Sequence, residues 1–166
     1  MPNFDIGITG LAGSGKDTAA DFICKEYGYA RVSFAAPLKA VCASLGWDSK
    51  KDEPGRKLLQ DVGMAFRLYD ELTWINAIDK TLGSAENYVF TDVRFENEAN
   101  YIKRARNGVI IRVIRDGLAI KEMHSHISES GQSSIAANYV VLNNGSIATL
   151  NKQIREIIES HASDLR

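Results

Sequence analysis

The chain has 166 residues, of which 45% are apolar and 25% charged, as in an ordinary globular domain with one core. Its net charge of −1 provides no overall positive field, which argues against a general nucleic-acid-binding protein. The apolar runs are short, and the N-terminus has no basic stretch followed by a long apolar one. We therefore expect a cytoplasmic protein without a membrane segment or signal peptide.

Strand and helix patterns alternate along the chain. Short apolar or β-branched runs predict strands at residues 4–9, 31–35, 88–91, 109–114 and 139–142. Apolar residues at helical spacing predict helices at 17–27, 37–45, 56–69, 74–82, 95–106 and 147–159. The stretch 116–137 is polar and weakly periodic, which predicts a mobile excursion. This alternation indicates an α/β fold whose parallel sheet is covered by helices on both faces.

The stretch GLAGSGKDTA, residues 10–19, follows the first predicted strand and opens the first helix. Its spacing, GxxxxGK, is that of a phosphate-binding loop, in which glycines let backbone amides surround phosphate oxygens at a helix N-terminus. Lys16 can reach the outer phosphates as a point charge. We expect ATP to be bound here by the residues Gly13, Ser14, Gly15, Lys16, Asp17 and Thr18.

Asp17 stands where most such loops have the Ser or Thr that binds Mg²⁺, and a hydroxyl arrives one residue later, at Thr18. This order occurs among nucleoside monophosphate kinases and points away from G-proteins and motor ATPases. Asp92 follows the third predicted strand, where a carboxylate resembling that of a Walker B motif would orient water on the metal. We expect Asp17, Thr18 and Asp92 to organise Mg²⁺.

Further candidates lie at the ends of the later strands. Phosphoryl transfer requires two aligned phosphates and positive charge around the moving group. Arg94 is a candidate clamp for an acceptor phosphate, and Arg115 a candidate cation over the transferred group. Glu98 is explained equally well by its position at a helix N-terminus. Asn144 lies in the turn where such folds admit the adenine, although it also suits a simple turn.

The predicted helix at 56–69 supplies a second group of candidates. Arg56, Gln60 and Gly63 share one face of this helix, which also carries Arg67, and Gly63 would allow a ligand or another backbone to approach closely. A solvated charged face is the alternative explanation. Trp74 is equally suited to stacking on a base and to the core.

Several blocks, taken in order, resemble the bacteriophage deoxynucleoside monophosphate kinases. They are GxxxSGKDTxADFI at 10–23, A-x-PLK at 35–39, R-K/R-L-x-Q-x-x-G at 56–63 followed by Trp74, D-x-R at 92–94, H-I-S/T-E at 126–129 and N-x-G-S at 143–146. The resemblance implies a three-layer P-loop NTPase fold with a five-stranded parallel sheet. It also implies one domain over 1–166, with an acceptor-binding helical part at about 36–82 and a small lid at about 116–137.

The resemblance further implies that ATP, with Mg²⁺, phosphorylates a deoxynucleoside 5′-monophosphate for DNA precursor synthesis. The acceptor site expected from the matching positions and the residues discussed above comprises Lys39, Arg56, Gln60, Arg67, Trp74, Asp92, Arg94 and Glu98. Larger family members carry an insertion in the region between Trp47 and Arg56, where this chain is short. Base selectivity and homodimer contacts therefore stay open, and a homodimer is compatible with the resemblance.

We therefore predict a deoxynucleoside monophosphate kinase in which Lys16 and Arg115 neutralise the transferred phosphoryl group. Asp92 would organise the metal, and Arg94 with Arg56 would fix the acceptor phosphate. Two alternatives stay open. One is a kinase of another small phosphorylated acceptor, such as dephospho-coenzyme A or phosphomevalonate, and the other is a non-catalytic P-loop nucleotide sensor. No nucleic acid polymer or membrane is expected as a partner.

Overall fold

The computed structural model describes residues 3–83, 87–118 and 134–165. Its five strands are β1 (Ile6–Thr9), β2 (Ala30–Val32), β3 (Tyr88–Phe90), β4 (Val109–Ile114) and β5 (Tyr139–Leu142). They form one sheet in the order β2-β3-β1-β4-β5, and every neighbouring pair is parallel. Because parallel strands end at the same edge, the segments after β1, β3, β4 and β5 meet at one edge, where α/β sheets bind their ligands.

The helices are α1 (Lys16–Tyr27), α2 (Ala35–Ser44), α3 (Glu53–Tyr69), α4 (Thr73–Asp79), α5 (Glu96–Ala105) and α6 (Ile147–Asp164). Two of them begin two or three residues earlier than predicted. α3 begins at Glu53 because Asp52 caps it, accepting a hydrogen bond of 2.9 Å from the Gly55 amide. α2 begins at Ala35 because Pro37 fits within a first turn, where backbone amides have no partner inside the helix.

Helices cover both faces of the sheet. Ile23 of α1 and Ile154 of α6 are fully buried in the main core cluster against strands β1, β3, β4 and β5. On the opposite face, a Cβ added to Gly7 of β1 would lie 2.8 Å from the Ile102 Cδ1 atom of α5. Covering on both faces explains why β1 is buried along its whole length and reads as a continuous apolar run. The predicted α/β class with a five-stranded parallel sheet is confirmed.

The chain divides into two compact units. The first comprises Met1–Val32 with Ala85–Arg166 and contains the whole sheet, and the second comprises Ser33–Ser84 and contains α2, α3 and α4. The acceptor-binding part was predicted at 36–82, within the second unit. Residues 119–133 of the predicted lid, including the HISE stretch, lie outside the described residues.

Among the described helices, none has the length and apolarity needed to cross a bilayer.

Candidate active site

The loop between β1 and α1 has the backbone conformation that its glycines predict. Gly10, Gly13 and Gly15 have φ angles of 142°, 80° and 105°, in a region that side-chain-bearing residues rarely adopt. Gly15 is the N-cap of α1, so no side chain at that position caps the first amides of the helix. Amides at a helix N-terminus, together with the helix dipole, favour an anion.

Asn143, which directly follows β5, braces this loop. Its Nδ2 atom donates a hydrogen bond of 2.8 Å to the Ser14 carbonyl. Gly15 has no side chain in the space that the Asn143 amide occupies, because a Cβ there would overlap Nδ2 and lie 3.3 Å from Cγ. The glycine therefore provides both a left-handed backbone and room for the brace.

Two buried hydroxyls in this region have no hydrogen-bond partner among the described residues. They are Thr9 Oγ1, at the end of β1, and Ser14 Oγ, inside the loop. A buried polar group without a partner is rare in native proteins, and ligand sites are one place where such groups occur. These orphan hydroxyls fit a loop whose polar groups are completed by a bound phosphate.

A pocket of about 410 Å³ opens in front of the loop, within the first unit. Its size is in the range of small-molecule sites. The lining residues are Gly13, Gly15, Lys16, Asp17, Thr18, Arg115, Asn143, Gly145, Ile147 and Leu150. Cations and the helix N-terminus therefore share the pocket with two aliphatic side chains, which suits a ligand that carries both phosphates and an apolar part.

The two cations of the pocket are held differently. The Lys16 Nζ atom donates a hydrogen bond of 2.6 Å to the Leu11 carbonyl, which keeps the ammonium close to the loop. Arg115 follows β4 and is exposed, and its side chain forms no ion pair within the described part of the chain. Lys16 thus belongs to the loop itself, whereas Arg115 approaches the pocket from a neighbouring strand end.

Asn144 was predicted to bind ATP, but its side chain has another role. Its Nδ2 atom donates to the Asp116 carboxylate over 2.7 Å, and its Oδ1 atom accepts from the Asp116 amide over 2.9 Å. Both ends of the amide are therefore used to tie the turn after β5 to the residue that follows Arg115. The Asn144 side chain is therefore engaged within its own turn, and Asn143 is the asparagine of this turn that lines the pocket.

Asp17 lines the pocket, but its carboxylate forms an ion pair with Arg31. This pair engages one carboxylate oxygen, and the predicted part of Asp17 in holding the metal stays a prediction. Thr18 also lines the pocket and has the hydroxyl expected of a metal ligand. Within the described ranges there is no cluster of three or more His, Cys, Asp or Glu side chains suited to a metal.

Asp92 and Arg94 lie at the sheet edge that carries the loop. β3 pairs directly with β1, and the Val93 amide donates to the Ile8 carbonyl over 3.2 Å, so Asp92 is level with the end of β1. Both side chains are half-buried. The Arg94 guanidinium has no ion-pair partner in the described part of the chain, which leaves its charge for an anion.

Glu98 was predicted to bind substrate, and the structure corrects this prediction. It is 1% exposed, and its Oε2 atom accepts hydrogen bonds from the amides of Arg94, at 2.8 Å, and Phe95, at 3.1 Å. These bonds satisfy amides at the start of α5, as the N3 glutamate of a capping box does. Glu98 therefore fixes the backbone beneath Arg94, and its carboxylate is occupied.

The second unit corrects another prediction. Trp74 is 4% exposed, its Nε1 atom donates to the Gly63 carbonyl over 3.2 Å, and its ring meets Phe66 edge-on. A Cβ at Gly63 would lie 3.2 Å from the Leu38 side chain, so this glycine accommodates α2. Trp74 is therefore a core residue and does not present its ring for stacking, and Gly63 serves helix packing.

Four polar candidates in the second unit differ in their surroundings. Lys39 on α2 and Gln60 on α3 are half-buried, and Arg56 on α3 is exposed. None of these three has a side-chain hydrogen bond or ion pair within the described ranges. Arg67 has an interaction of its own. The first three thus have side chains available for a ligand.

Comparison with known proteins decides the family. A family model described as deoxynucleotide monophosphate kinase matches residues 47–154. A protein of Acanthamoeba polyphaga mimivirus, assigned as a deoxynucleotide monophosphate kinase, is 30% identical over an alignment 190 positions long, gaps included. The alignment covers 93% of this chain and 96% of the relative. The chain belongs to the deoxynucleotide monophosphate kinase family. It is therefore a nucleotide-binding phosphotransferase of the kinase class.

Solved structures agree with the family at the level of the fold. A gluconokinase from Sinorhizobium meliloti has a TM-score of 0.57 at 15% identity, with 98% of this chain and 95% of that chain covered. Shikimate kinase from Aquifex aeolicus has a TM-score of 0.57 at 13% identity, with 96% and 98% covered. At such identities the likeness shows a shared kinase fold alone.

Sequence reasoning did not single out Asn143, which contacts the loop, or Arg31, which contacts Asp17 at the start of α1. Asn143 lies next to the asparagine that was chosen, and the sequence signals for it were its place directly after a strand and at the start of the N-x-G-S block at 143–146. Arg31 was read simply as part of the second strand. Its proximity to Asp17 depends on how β2 and α1 pack, which the spacing of residues along the chain does not reveal.

Proposed function

We propose that the protein transfers the γ-phosphoryl group of ATP to a deoxynucleoside 5′-monophosphate, producing the diphosphate and ADP. The observation that carries this proposal is a phosphate-binding loop opening onto a pocket that contains Lys16 and Arg115, in a chain of the deoxynucleotide monophosphate kinase family. The assignment of the viral relative as a deoxynucleotide monophosphate kinase supports the same acceptor class. DNA precursor synthesis is the use that this reaction would serve.

In the proposed reaction an oxygen of the acceptor phosphate forms a bond to the γ-phosphorus of ATP. The bond from that phosphorus to the bridging oxygen breaks, and its electron pair leaves with ADP. Lys16 and Arg115 stabilise the charge that develops on the transferred group, and the loop amides hold the remaining phosphates. No general base is assigned, because the acceptor phosphate is already ionised at neutral pH.

Arg94 is proposed to bind the acceptor phosphate, since its guanidinium has two parallel donors for that anion. In the second unit, Lys39, Arg56 and Gln60 are proposed to bind the acceptor nucleotide, because their side chains are without partners in the described part of the chain. Arg67, on the same helix as Arg56 and Gln60, is proposed as a further residue of this acceptor site.

Mg²⁺ is proposed as the cofactor. The Thr18 hydroxyl and the Asp92 carboxylate are hard oxygen donors, and one or two protein ligands with water and phosphate oxygens are what Mg²⁺ usually takes. When bound, the ion would supply charge neutralisation between the β- and γ-phosphates.

An acceptor panel tests this proposal. The purified protein is supplied with ATP and Mg²⁺ and with each deoxynucleoside and ribonucleoside monophosphate, dephospho-coenzyme A or phosphomevalonate. ADP release is recorded by a coupled assay, and the product is identified by mass spectrometry. We expect ADP release with at least one deoxynucleoside monophosphate and a diphosphate product of matching mass.

Two results would contradict the proposal in different ways. Release of ADP only with dephospho-coenzyme A or phosphomevalonate would assign another acceptor class. Binding of ATP without ADP release for any acceptor would assign a nucleotide sensor. The Lys16→Ala variant, assayed in parallel, shows whether the release originates in this pocket.

A further inference from the structure

Asp17 introduces a negative charge at the place where this kinase would bind a polyanion. It directly follows Lys16 in the loop, and it lines the same pocket. A carboxylate beside a triphosphate repels it. A loop that carries this residue therefore needs a compensating positive charge close by.

Arg31 is in a position to supply that charge. It lies on β2, and its two terminal nitrogens bind two carboxylates of α1, Nη2 that of Asp17 and Nη1 that of Asp21, the latter at 2.6 Å. Asp17 and Asp21 are one helical turn apart on the same face, so a single guanidinium reaches both. Arg31 is absent from the pocket lining, so its link to the nucleotide would run through Asp17.

The ion pairs of Arg31 with Asp17 and Asp21 contribute little to the stability of the fold. The side chains of Arg31, Asp17 and Asp21 are 40%, 82% and 70% exposed, and exposed ion pairs of this kind contribute little to folding. The ion pair with Arg31 can still affect the binding of a charged ligand, because a paired carboxylate presents less negative charge to the pocket than an unpaired one.

We propose that Arg31 is a positioning residue for nucleotide binding, which holds Asp17 and balances its charge so that the carboxylate repels the bound phosphates less. This inference rests on the proposed function in taking a nucleoside triphosphate as the ligand of the pocket. Arg31 itself does not touch the reacting atoms. Asp21 shares the same guanidinium but is absent from the pocket lining, so it provides an internal control.

The test measures the affinity for a non-hydrolysable ATP analogue by calorimetry, alongside kcat and the KM for the acceptor. Arg31→Gln is expected to weaken analogue binding about 5- to 20-fold at low salt and less at high salt, since the interaction is electrostatic. Arg31→Lys, which keeps the charge, is expected to retain most of the affinity. The acceptor KM and the thermal midpoint are expected to change little in both variants.

Rescue by neutralisation distinguishes the two carboxylates. In the Arg31→Gln background, Asp17→Asn is expected to restore analogue affinity to within about twofold of the wild type, because it removes the charge that Arg31 no longer balances. Asp21→Asn in the same background removes an equal charge one turn away, and it is expected to restore little.

Three results would overturn the inference. They are unchanged affinity in Arg31→Gln, equal rescue by Asp21→Asn, or a further loss of affinity when Asp17→Asn is added to Arg31→Gln. The last would make the Asp17 carboxylate itself a required ligand. If the wild-type protein fails to bind the analogue, the proposed function is overturned, and this inference with it. If the wild type binds the analogue and the Arg31 variants bind it with the same affinity as the wild type, the inference alone is overturned.

Discussion

Gly15 in the phosphate loop and Gly63 in α3 both let another part of the chain approach closely, but with opposite consequences. At Gly15 the approaching group is the Asn143 amide, and the surrounding loop keeps a pocket and two unpartnered hydroxyls within the described region. At Gly63 the approaching group is the Leu38 side chain, and the Trp74 indole donates a hydrogen bond to the Gly63 carbonyl. A glycine beside candidate ligands therefore marks a site only when polar groups around it stay unsatisfied.

The comparison predicts that removing a charged side chain of the loop lowers activity but not the free energy of unfolding. Removing a packed side chain next to Gly63 is expected to lower the free energy of unfolding but not the affinity for the acceptor. The largest effect is expected from Lys16→Ala, which should lower kcat/KM by about 10³- to 10⁵-fold, or about 4–7 kcal/mol of transition-state stabilisation. Steady-state kinetics and a thermal unfolding scan would be compared. Lys25→Ala, on the same helix and exposed, is the control. Turnover within tenfold of the wild type in Lys16→Ala would remove this lysine from catalysis.

Trp74→Ala is expected to lower the free energy of unfolding by about 3–5 kcal/mol, because it leaves a cavity in the second unit. Denaturant unfolding measures this loss. Trp47 is only half-buried, so Trp47→Ala is expected to cost less and serves as the comparison. Trp74→Leu, assayed at a temperature where it is folded, should leave the acceptor KM unchanged. A KM raised tenfold or more in that variant would return Trp74 to the acceptor site.

Arg94→Ala is expected to weaken acceptor binding by about 1.5–3 kcal/mol, the usual worth of a hydrogen bond to a charged group. This corresponds to a rise in acceptor KM of about 10- to 150-fold, with the KM for ATP little changed. The exposed Arg104 on α5 provides the matched control, Arg104→Ala. An equal rise in both KM values would show that Arg94 acts on the whole pocket rather than on the acceptor.

The smallest effect concerns the brace between Asn143 and the loop. Gly15 and Gly46 have φ angles of 105° and 101°, so an alanine suffers similar backbone strain at either position. At Gly46 no described atom lies within 4 Å of the added Cβ, whereas at Gly15 it would overlap the Asn143 amide. Gly15→Ala is therefore expected to cost about 1–3 kcal/mol more unfolding free energy than Gly46→Ala. Equal costs would mean that Asn143 can move aside freely.

Features that depend on local backbone requirements were predictable from the sequence. The strands at 109–114 and 139–142 agree with the structure, because an apolar, β-branched run has few alternatives in a parallel sheet. The loop at 10–18 was predictable because Gly10, Gly13 and Gly15 adopt backbone conformations that glycine readily takes and other residues rarely do. The ends of helices were less accurate, as α6 continues to Asp164 beyond the predicted 159.

The sequence by itself determined the alternation of strands and helices, the position of the phosphate loop and the family resemblance. Only the tertiary structure decided which polar side chains are left for a ligand. Asp17 pairs with Arg31, 14 positions away, and Asn143 reaches Ser14 across 129 positions. The physical reason is that periodicity and backbone preference are properties of neighbouring residues. A hydrogen bond or ion pair, by contrast, depends on whichever partner packing brings within about 3 Å.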